Sequence, residues 1–116
     1  MEYLLIMCGD ETAEGVTLMT TATADIAAMP ACASWIAEME RRGVLRNVVG
    51  LQPSSDATVV RVRGDEVLLS DGPFAETKDQ IGGFGLIECA DLDEAIEVAS
   101  KHPAARLGLI EVRPVR

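Results

Sequence analysis

Residues 81–94 read IGGFGLIECADLDE, and this stretch joins a strand pattern directly to the start of a helix. In its first nine residues the apolar side chains fall on both sides of an extended chain, where Phe84 and Leu86 oppose Ile87. Asp91 followed three residues later by Glu94 is an Asp variant of the capping box that begins helices. The stretch therefore predicts a strand that is apolar on both faces and leads into a capped helix.

The same patterns continue outward along the chain. Strands are predicted at residues 3–8, 44–51, 58–63, 66–70 and 108–112, and Gly64-Asp65 forms a two-residue hairpin turn. Residues 9–23 are predicted to be a loop, a helical region opens at Asp25, and the main helix runs from about Pro30 to Arg42. An apolar stripe on that helix consists of Met29, Cys32, Ile36 and Met39. The second helix ends at His102-Pro103, and the order of elements predicts one α+β domain over residues 1–116, with an antiparallel sheet and two helices on one face.

Both faces of the predicted sheet carry apolar side chains. In the first strand Leu4 and Ile6 point one way, and Leu5 and Met7 point the other way. Because two helices cover only one face, the other face needs a cover of its own. A second copy packed sheet to sheet provides that cover and predicts a homodimer. The alternative is that the hairpin or the 9–23 loop folds over this face.

The charge of the chain excludes some classes of partner. The formal net charge is −9 and the pI about 4.4, so the mean field repels phosphate backbones and anionic membrane surfaces. We therefore expect no direct nucleic-acid or membrane binding. Arg41, Arg42 and Arg46 form the one basic cluster, which is interpreted as a solvated helix end rather than a binding patch.

Cysteine use and the N-terminus indicate a cytoplasmic protein. Cys8, Cys32 and Cys89 are odd in number and contain no CxxC pair, so buried free thiols are expected rather than disulfides or a zinc site. The sequence shows no signal peptide and no apolar run long enough to span a membrane. It also lacks dinucleotide, Walker and multi-histidine motifs, and neither a cofactor nor a metal is predicted.

The densest group of polar residues lies between Asp71 and Lys78. Asp71-Gly72-Pro73 has the chemistry of a turn, in which Asp binds backbone amides and Pro fixes the exit. The segment also places Glu76 and Lys78 beside Phe74, which is more functional chemistry than a turn needs. Asp71, at the end of a strand, is therefore a candidate acid, base or orienting group.

His102 is the single histidine of the chain and lies at the end of the second helix. There the helix dipole favours its protonated form, and a capping role is one interpretation. The functional alternative is a His-Asp pair, in which Asp71 fixes the tautomer and His102 transfers the proton.

Two strand carboxylates are further candidates. Glu88 and Glu111 share strand faces with apolar residues, and in an interior pocket such carboxylates have raised pKa values and act as general bases. The alternative is that they form structural ion pairs with Arg61, Arg63 or Arg113.

The octet Asp71-Gly72-Pro73-Phe74-Ala75-Glu76-Thr77-Lys78, followed by IGGF at 81–84, resembles the signature of the DGPF, or YCII-related, family. The resemblance extends upstream through residues 41–45 and 51–54, and downstream through 92–95, 102–103 and 110–115. It implies a ferredoxin-like fold that forms a dimeric α/β barrel.

The resemblance implies two functions. One is cofactor-independent acid–base catalysis on a small molecule by a histidine and the motif aspartate, here Asp71. The resemblance places that histidine near the first strand, but residues 8–10 of this chain hold none, so His102 would have to substitute for it. The other is a regulatory or interaction module associated with a sigma factor. The candidate ligand-binding residues are Ser70, Phe74, Glu76, Lys78, Phe84, Glu88 and Glu111. We lean toward small-molecule binding.

Overall fold

The computed structural model describes residues 1–12 and 30–116. The helices in this part are α1 (Pro30–Arg41), α2 (Leu92–Ser100) and the short α3 (Ala104–Leu107), with a 3-10 helix at Ser54–Asp56. The strands are β1 (Glu2–Gly9), β2 (Leu45–Gly50), β3 (Thr58–Arg63), β4 (Glu66–Asp71), β5 (Gln80–Glu88) and β6 (Leu109–Pro114). The predicted loop at 13–23, the helical region at Asp25 and Met29 of the apolar stripe lie outside the described residues.

Four strands form one antiparallel sheet in the order β2-β5-β1-β6. This order and the placement of α1 and α2 are those of a ferredoxin-like α+β fold, as the sequence predicts. Next to Cys8 the register of β1 and β5 skips Gly82, so the pairing of these two strands contains a β-bulge at this glycine.

The hairpin of β3 and β4 is a separate two-stranded sheet. Gly64, with φ of +62°, begins its two-residue turn, as the type II′ geometry requires. All six residues of β4 and five of the six in β3 are exposed. The hairpin is therefore an insertion between β2 and β5 that adds no strand to the main sheet.

The core lies between the helices and one face of the main sheet. Tyr3, Leu5 and Met7 of β1 are buried against Trp35 and Met39 of α1 and the apolar residues of α2. The predicted stripe omitted Trp35, whose indole N–H donates 2.9 Å to the carbonyl of Val98. Asp91 caps α2 as predicted, because its carboxylate accepts the Glu94 amide at 2.9 Å.

The opposite face of the sheet has no helix on it in the part of the chain described. We call this side the open face. The β-sheet register places on it Leu4, Ile6 and Cys8 of β1, Phe84 and Leu86 of β5, and Leu109, Glu111 and Arg113 of β6. The apolar members are half-buried or, for Leu109, 44% exposed. The two-faced strands predicted from the sequence are thus present in the structure, and the sheet is not closed into a barrel.

None of the helices described at 30–41, 92–100 and 104–107 is long and apolar enough to cross a membrane.

Candidate functional site

Residues 71–78, here called the DGPF segment, are fastened at one end to the chain before β3. The Gly72 amide donates 2.8 Å to the Ala57 carbonyl, and the Ala57 amide donates 3.0 Å to the Ser54 carbonyl. The Gly72–Pro73 peptide is cis. Because β3 begins at Thr58 and β4 ends at Asp71, these bonds also close the base of the hairpin.

The other end of the DGPF segment is held by one side chain. The side-chain amide nitrogen of Gln80, Nε2, donates hydrogen bonds of 2.9 Å to the Ala75 carbonyl and 2.8 Å to the Thr77 carbonyl. The Thr77 hydroxyl donates 2.9 Å to the Asp79 carbonyl. The loop is therefore shaped by internal hydrogen bonds. Gln80 was missed by the sequence analysis, because a glutamine after the motif carries no signal of its own.

A cavity of about 590 Å³ lies between the DGPF segment, the base of the hairpin and one end of the open face. We call it the cleft. Apolar side chains form most of its wall, and its lining includes Leu51, Pro53, Ala57, Val59, Pro73, Phe74, Ala75, Ile81 and Phe84. Its polar lining consists of Gln52, Ser54, Asp56, Thr58, Thr77, Asp79 and Gln80. The volume and this mixture are typical of small-molecule sites.

The charge in the cleft has one sign. Among the described residues of its lining, Asp56 and Asp79 are the ionisable side chains, and none is Lys, Arg or His. Carboxylates beside low-dielectric walls repel anions and attract hydrogen-bond donors and cations. The cleft therefore favours a ligand that is neutral or positively charged.

A second, more polar hollow of about 460 Å³ lies on the other side of the segment. The two cavities share the wall formed by Ser54, Pro73, Thr77 and Gln80. In the hollow, hydrogen bonds from Thr12, and then the charge of Lys78, lower the pKa of Asp10. Its remaining lining consists of Glu11, Ser55, Gly72 and Glu76, and Glu11 accepts two hydrogen bonds from Ser54.

The structure divides the predicted ligand-binding residues between these two cavities. Phe74 and Phe84 line the cleft, and Phe74 is 78% exposed at its rim. Glu76 and Lys78 line the polar hollow. Ser70 lies exposed near the end of β4 and lines neither cavity.

The strand carboxylates form ion pairs, the alternative interpretation of the sequence. The Glu88 carboxylate lies 3.3 Å from the Arg46 guanidinium, so its partner is an arginine of β2 and not one of the hairpin arginines. The Glu111 carboxylate pairs with Arg113, as the sequence analysis allowed. Both are exposed, although Glu111 lies on the open face. Burial, and then the charges of Glu111 and Asp79, raise the pKa of the half-buried Cys8 thiol. These groups therefore keep Cys8 protonated, and a thiolate is disfavoured there.

His102 lies in the core, on the helix side of the sheet. It is 1% exposed, its ring packs edge-on against Trp35 at 4.8 Å, and its Nδ1 accepts the Ala104 amide at 3.0 Å. The ring thus caps the start of α3 and carries its proton on Nε2. The sequence predicted that the dipole of α2 favours the protonated form of His102. That prediction is wrong, because burial lowers the pKa of His102 to about 4.

The protomer does not bring the predicted catalytic pair together. Asp71 is exposed at the end of β4 and lines neither cavity, whereas His102 is sealed under the helices. No hydrogen bond or ion pair joins the two side chains among the described residues. The Asp71–His102 pair therefore stays a prediction. Nor do residues 1–12 and 30–116 contain a group of three or more side chains suited to hold a metal ion.

Two comparisons relate the chain to known proteins. An uncharacterized protein of Rhizobium meliloti (strain 1021) is 45% identical over 75 residues, which are 63% of this chain and 60% of that protein. The chain therefore matches less than two thirds of the length of this relative. The family model for the YCII-related domain matches residues 1–116. Because this match spans the whole chain, the protein belongs to the YCII-related domain family.

Proposed function

We propose that the chain binds a small, neutral or cationic, largely apolar molecule in the cleft. The observation that carries this proposal is the cleft itself, a cavity of about 590 Å³ with apolar walls and carboxylates as its ionisable lining. Phe74 at the rim is 78% exposed and offers an aromatic ring to a bound molecule. Gln80 and Thr77 hold the loop in place around the cavity, which lowers the ordering cost of binding.

Binding is favoured over catalysis by the state of the reactive groups. The Cys8 thiol, on the open face, has a raised pKa and is therefore a poor nucleophile. His102 is buried away from the cleft and uses its basic Nδ1 in a hydrogen bond to the backbone. Acid–base catalysis in the cleft would consequently have to rest on Asp56 or Asp79.

The proposal includes a second copy of the chain over the open face, which would produce a dimeric α/β barrel. The support is the exposure of the apolar side chains on that face, including Leu109 at 44% and the neighbouring Val49 at 44% and Leu51 at 40%. Leaving such a surface in water costs about 25 cal/mol per Å². Two identical faces can bury each other in a closed, two-fold arrangement.

A fluorescent-probe titration tests the binding proposal. Nile red is neutral and apolar, whereas 8-anilinonaphthalene-1-sulfonate is apolar but anionic. We expect saturable binding of one Nile red per chain, and binding of the anionic probe weaker by at least about ten-fold, or about 1.4 kcal/mol. Val59→Trp fills the cleft, because Val59 is a half-buried part of its wall. This variant should lose at least ten-fold in Nile red affinity.

The matched control is Ala37→Trp, which adds the same ring to an exposed position of α1. It should bind Nile red as the unmodified protein does. Equal affinity of Val59→Trp and the unmodified protein would mean that the probe binds elsewhere, and the cleft proposal would then be abandoned. A preference for the anionic probe would contradict the charge argument.

A further inference from the structure

Three polar side chains on the wall shared by the cleft and the polar hollow have hydrogen-bond donors that are already in use. The Ser54 hydroxyl donates 2.9 Å to the Glu11 carboxylate, and the Thr77 hydroxyl donates 2.9 Å to the Asp79 carbonyl. The side-chain amide of Gln80 donates to two carbonyls of the DGPF segment. This wall therefore offers lone pairs, rather than N–H or O–H groups, to a molecule in the cleft.

Acceptor atoms remain available on this wall and beside it. Gln80 Oε1 accepts no hydrogen bond from the described residues, and it is not sealed from solvent. The Asp56 and Asp79 side chains are exposed in the cleft lining, and neither has a Lys or Arg partner in the part of the chain that the structure describes. Such a cavity is complemented by a ligand that donates hydrogen bonds and carries positive charge.

The aromatic side chains of the cleft favour the same charge. The chain has four aromatic residues, of which Tyr3 and Trp35 are packed in the core. The other two, Phe74 and Phe84, both line the cleft. The face of an aromatic ring carries partial negative charge and attracts cations, in addition to offering apolar surface.

We infer that the ligand of the cleft is a primary amine in its protonated form, with an apolar group attached to it. This inference rests on the proposed function and names the chemical class of the ligand. An ammonium group has three donors and no acceptor, so it matches a wall whose own donors are in use. Its charge complements Asp56 and Asp79, and the apolar group packs on walls that include Val59 and Ile81.

The two carboxylates reach the cleft from different parts of the chain, and the backbone that carries each one is held by local hydrogen bonds. Asp56 ends the 3-10 helix, where its amide donates 2.9 Å to the Pro53 carbonyl. Asp79 directly follows the DGPF segment, and its carbonyl accepts the Thr77 hydroxyl. Both carboxylates are thus carried by ordered backbone before a ligand binds, which lowers the ordering cost of binding.

Other classes of ligand satisfy only part of this pattern. A neutral alcohol donates one hydrogen bond, but it carries no charge and brings its own acceptor toward the acceptors of the wall. A quaternary ammonium carries the charge and has no donor. A carboxylate has neither a donor nor the right sign of charge. Of these four classes, the primary amine is the one that meets both requirements.

Isothermal titration calorimetry with four molecules of closely similar shape tests this inference. The probes are 2-(1-naphthyl)ethylamine, its N,N,N-trimethyl derivative, 2-(1-naphthyl)ethanol and 3-(1-naphthyl)propanoate. At pH 7 the amine is protonated, as a lysine side chain is. We expect it to bind at least about ten-fold more tightly than the alcohol and the propanoate, and at least about three-fold more tightly than the trimethyl derivative.

Substitutions in the cleft test where the ammonium group lies. Asp56→Asn and Asp79→Asn keep the size of each side chain and remove its charge. Each should lower the ratio of amine to alcohol affinity by at least about three-fold, while the alcohol affinity stays within about two-fold. The matched control is Asp65→Asn, because Asp65 is exposed in the hairpin turn and lies outside the cleft lining. It removes the same charge and should leave the ratio unchanged.

The outcomes separate the amine from the cleft itself. If the alcohol binds as tightly as the amine and Val59→Trp weakens both, the cleft stands and the amine is overturned. If Nile red binds and none of the four molecules displaces it, the amine is again overturned while the cleft stands. A ratio that falls as much in Asp65→Asn as in the cleft variants would mean attraction by the net charge of −9, and would overturn the inference. Absence of Nile red binding together with absence of amine binding would overturn both proposals.

Amide chemical shifts of the unmodified protein provide a second measurement that needs no variant. Adding the primary amine should shift the amide resonances of residues 51–59 and 74–84, which contain the cleft lining. Resonances of residues 92–107, on the helix side, should stay in place. Shifts concentrated in 92–107 would overturn the inference, and this result holds even if an asparagine variant were to misfold.

Discussion

Gly72 and Ala57 are in direct backbone contact, and their approach leaves no room for a side chain at position 72. The Gly72 amide donates 2.8 Å to the Ala57 carbonyl, and a Cβ at Gly72 would lie 2.8 Å from the Ala57 Cβ. The glycine of the DGPF segment is therefore a requirement of packing. It allows the segment to close the base of the hairpin and one wall of the cleft at the same time.

Gly72→Ala should consequently destabilise the protein and disturb the cleft. Overpacking of a fixed site costs about 1–3 kcal/mol, because here the clash is with backbone and Cβ atoms that cannot rotate away. Chemical denaturation should show this loss, and Nile red affinity should fall. Ser70→Ala, two residues earlier and exposed, should change the free energy of unfolding by less than about 0.5 kcal/mol. Equal stability of Gly72→Ala and the unmodified protein would contradict the close approach.

Gln80→Leu should loosen the DGPF segment while leaving the sheet intact. The substitution keeps the size of the side chain and removes the donor that serves the Ala75 and Thr77 carbonyls. With about 1 kcal/mol for each hydrogen bond, a loss of about 1–2 kcal/mol is expected. Amide exchange should accelerate at residues 75–79 and stay unchanged in β1. Acceleration throughout the sheet would show that Gln80 supports the whole fold rather than the loop.

The buried imidazole of His102 should make the free energy of unfolding depend on pH below neutrality. Its pKa is about 4 in the folded protein, against an ordinary value of 6.5. The unfolded chain therefore binds a proton that the folded chain does not, and stability falls as the pH drops from about 6.5 toward 4. With about 1.4 kcal/mol for each pH unit, the loss is about 3 kcal/mol over this window. Above pH 6.5 His102 should contribute no pH dependence.

His102→Asn separates this effect from acid denaturation in general. The asparagine oxygen can accept the Ala104 amide in place of Nδ1, but it does not titrate. Urea unfolding between pH 7 and 4.5 should therefore show a flatter pH dependence than that of the unmodified protein. Ion pairs lower the pKa of Glu38 and Glu97, so these carboxylates become protonated at more acid pH. An unchanged slope in His102→Asn would refute the assignment.

Trp35→Phe should lower the free energy of unfolding more than Tyr3→Phe does. Both side chains are buried, and each carries a polar atom that phenylalanine lacks. The Trp35 indole N–H donates 2.9 Å to the Val98 carbonyl, which otherwise accepts the Lys101 amide at 3.3 Å. When the Trp35 donor is removed, the Val98 carbonyl keeps the Lys101 amide as its partner. The loss of this one hydrogen bond should lower the free energy of unfolding by about 1 kcal/mol. Tyr3→Phe removes a hydroxyl whose hydrogen bond is a 3.6 Å contact to the Met1 sulfur. Denaturant midpoints should rank Tyr3→Phe above Trp35→Phe.

Local patterns in the sequence predicted the fold because each element carries its own signal. Alternating apolar residues marked β1, Asp91 and Glu94 marked the start of α2, and Gly64-Asp65 marked the hairpin turn. The separation of the hairpin from the main sheet was not predictable in this way. Alternation in residues 58–63 is the same whether β3 pairs with β2 or only with β4, since the pattern records faces and not neighbours.

The site was only partly predictable for a related reason. The composition of the DGPF segment pointed to residues 71–78, and Phe74 and Phe84 do line the cleft. Asp79, directly after the segment, lines it as well, whereas Asp56 and Val59 come from the chain around the start of β3 and meet the segment only through tertiary packing. His102 drew attention as the single histidine, although its environment, and not its identity, decides whether it can act.

The predicted pair of Asp71 and His102 can be tested through the single tryptophan. The His102 ring lies 4.8 Å from Trp35, so protonation of the imidazole should quench the fluorescence of the folded protein with a midpoint near pH 4. A carboxylate in contact with the imidazole would raise that midpoint, since it favours the charged form. In the protomer Asp71 is exposed at the end of β4, and His102 is 1% exposed in the core. We therefore expect Asp71→Asn to leave the midpoint unchanged, whereas a midpoint lowered by half a pH unit or more, about 0.7 kcal/mol of coupling, would mean that the two groups meet in the functional assembly and would restore the pair as a catalytic candidate.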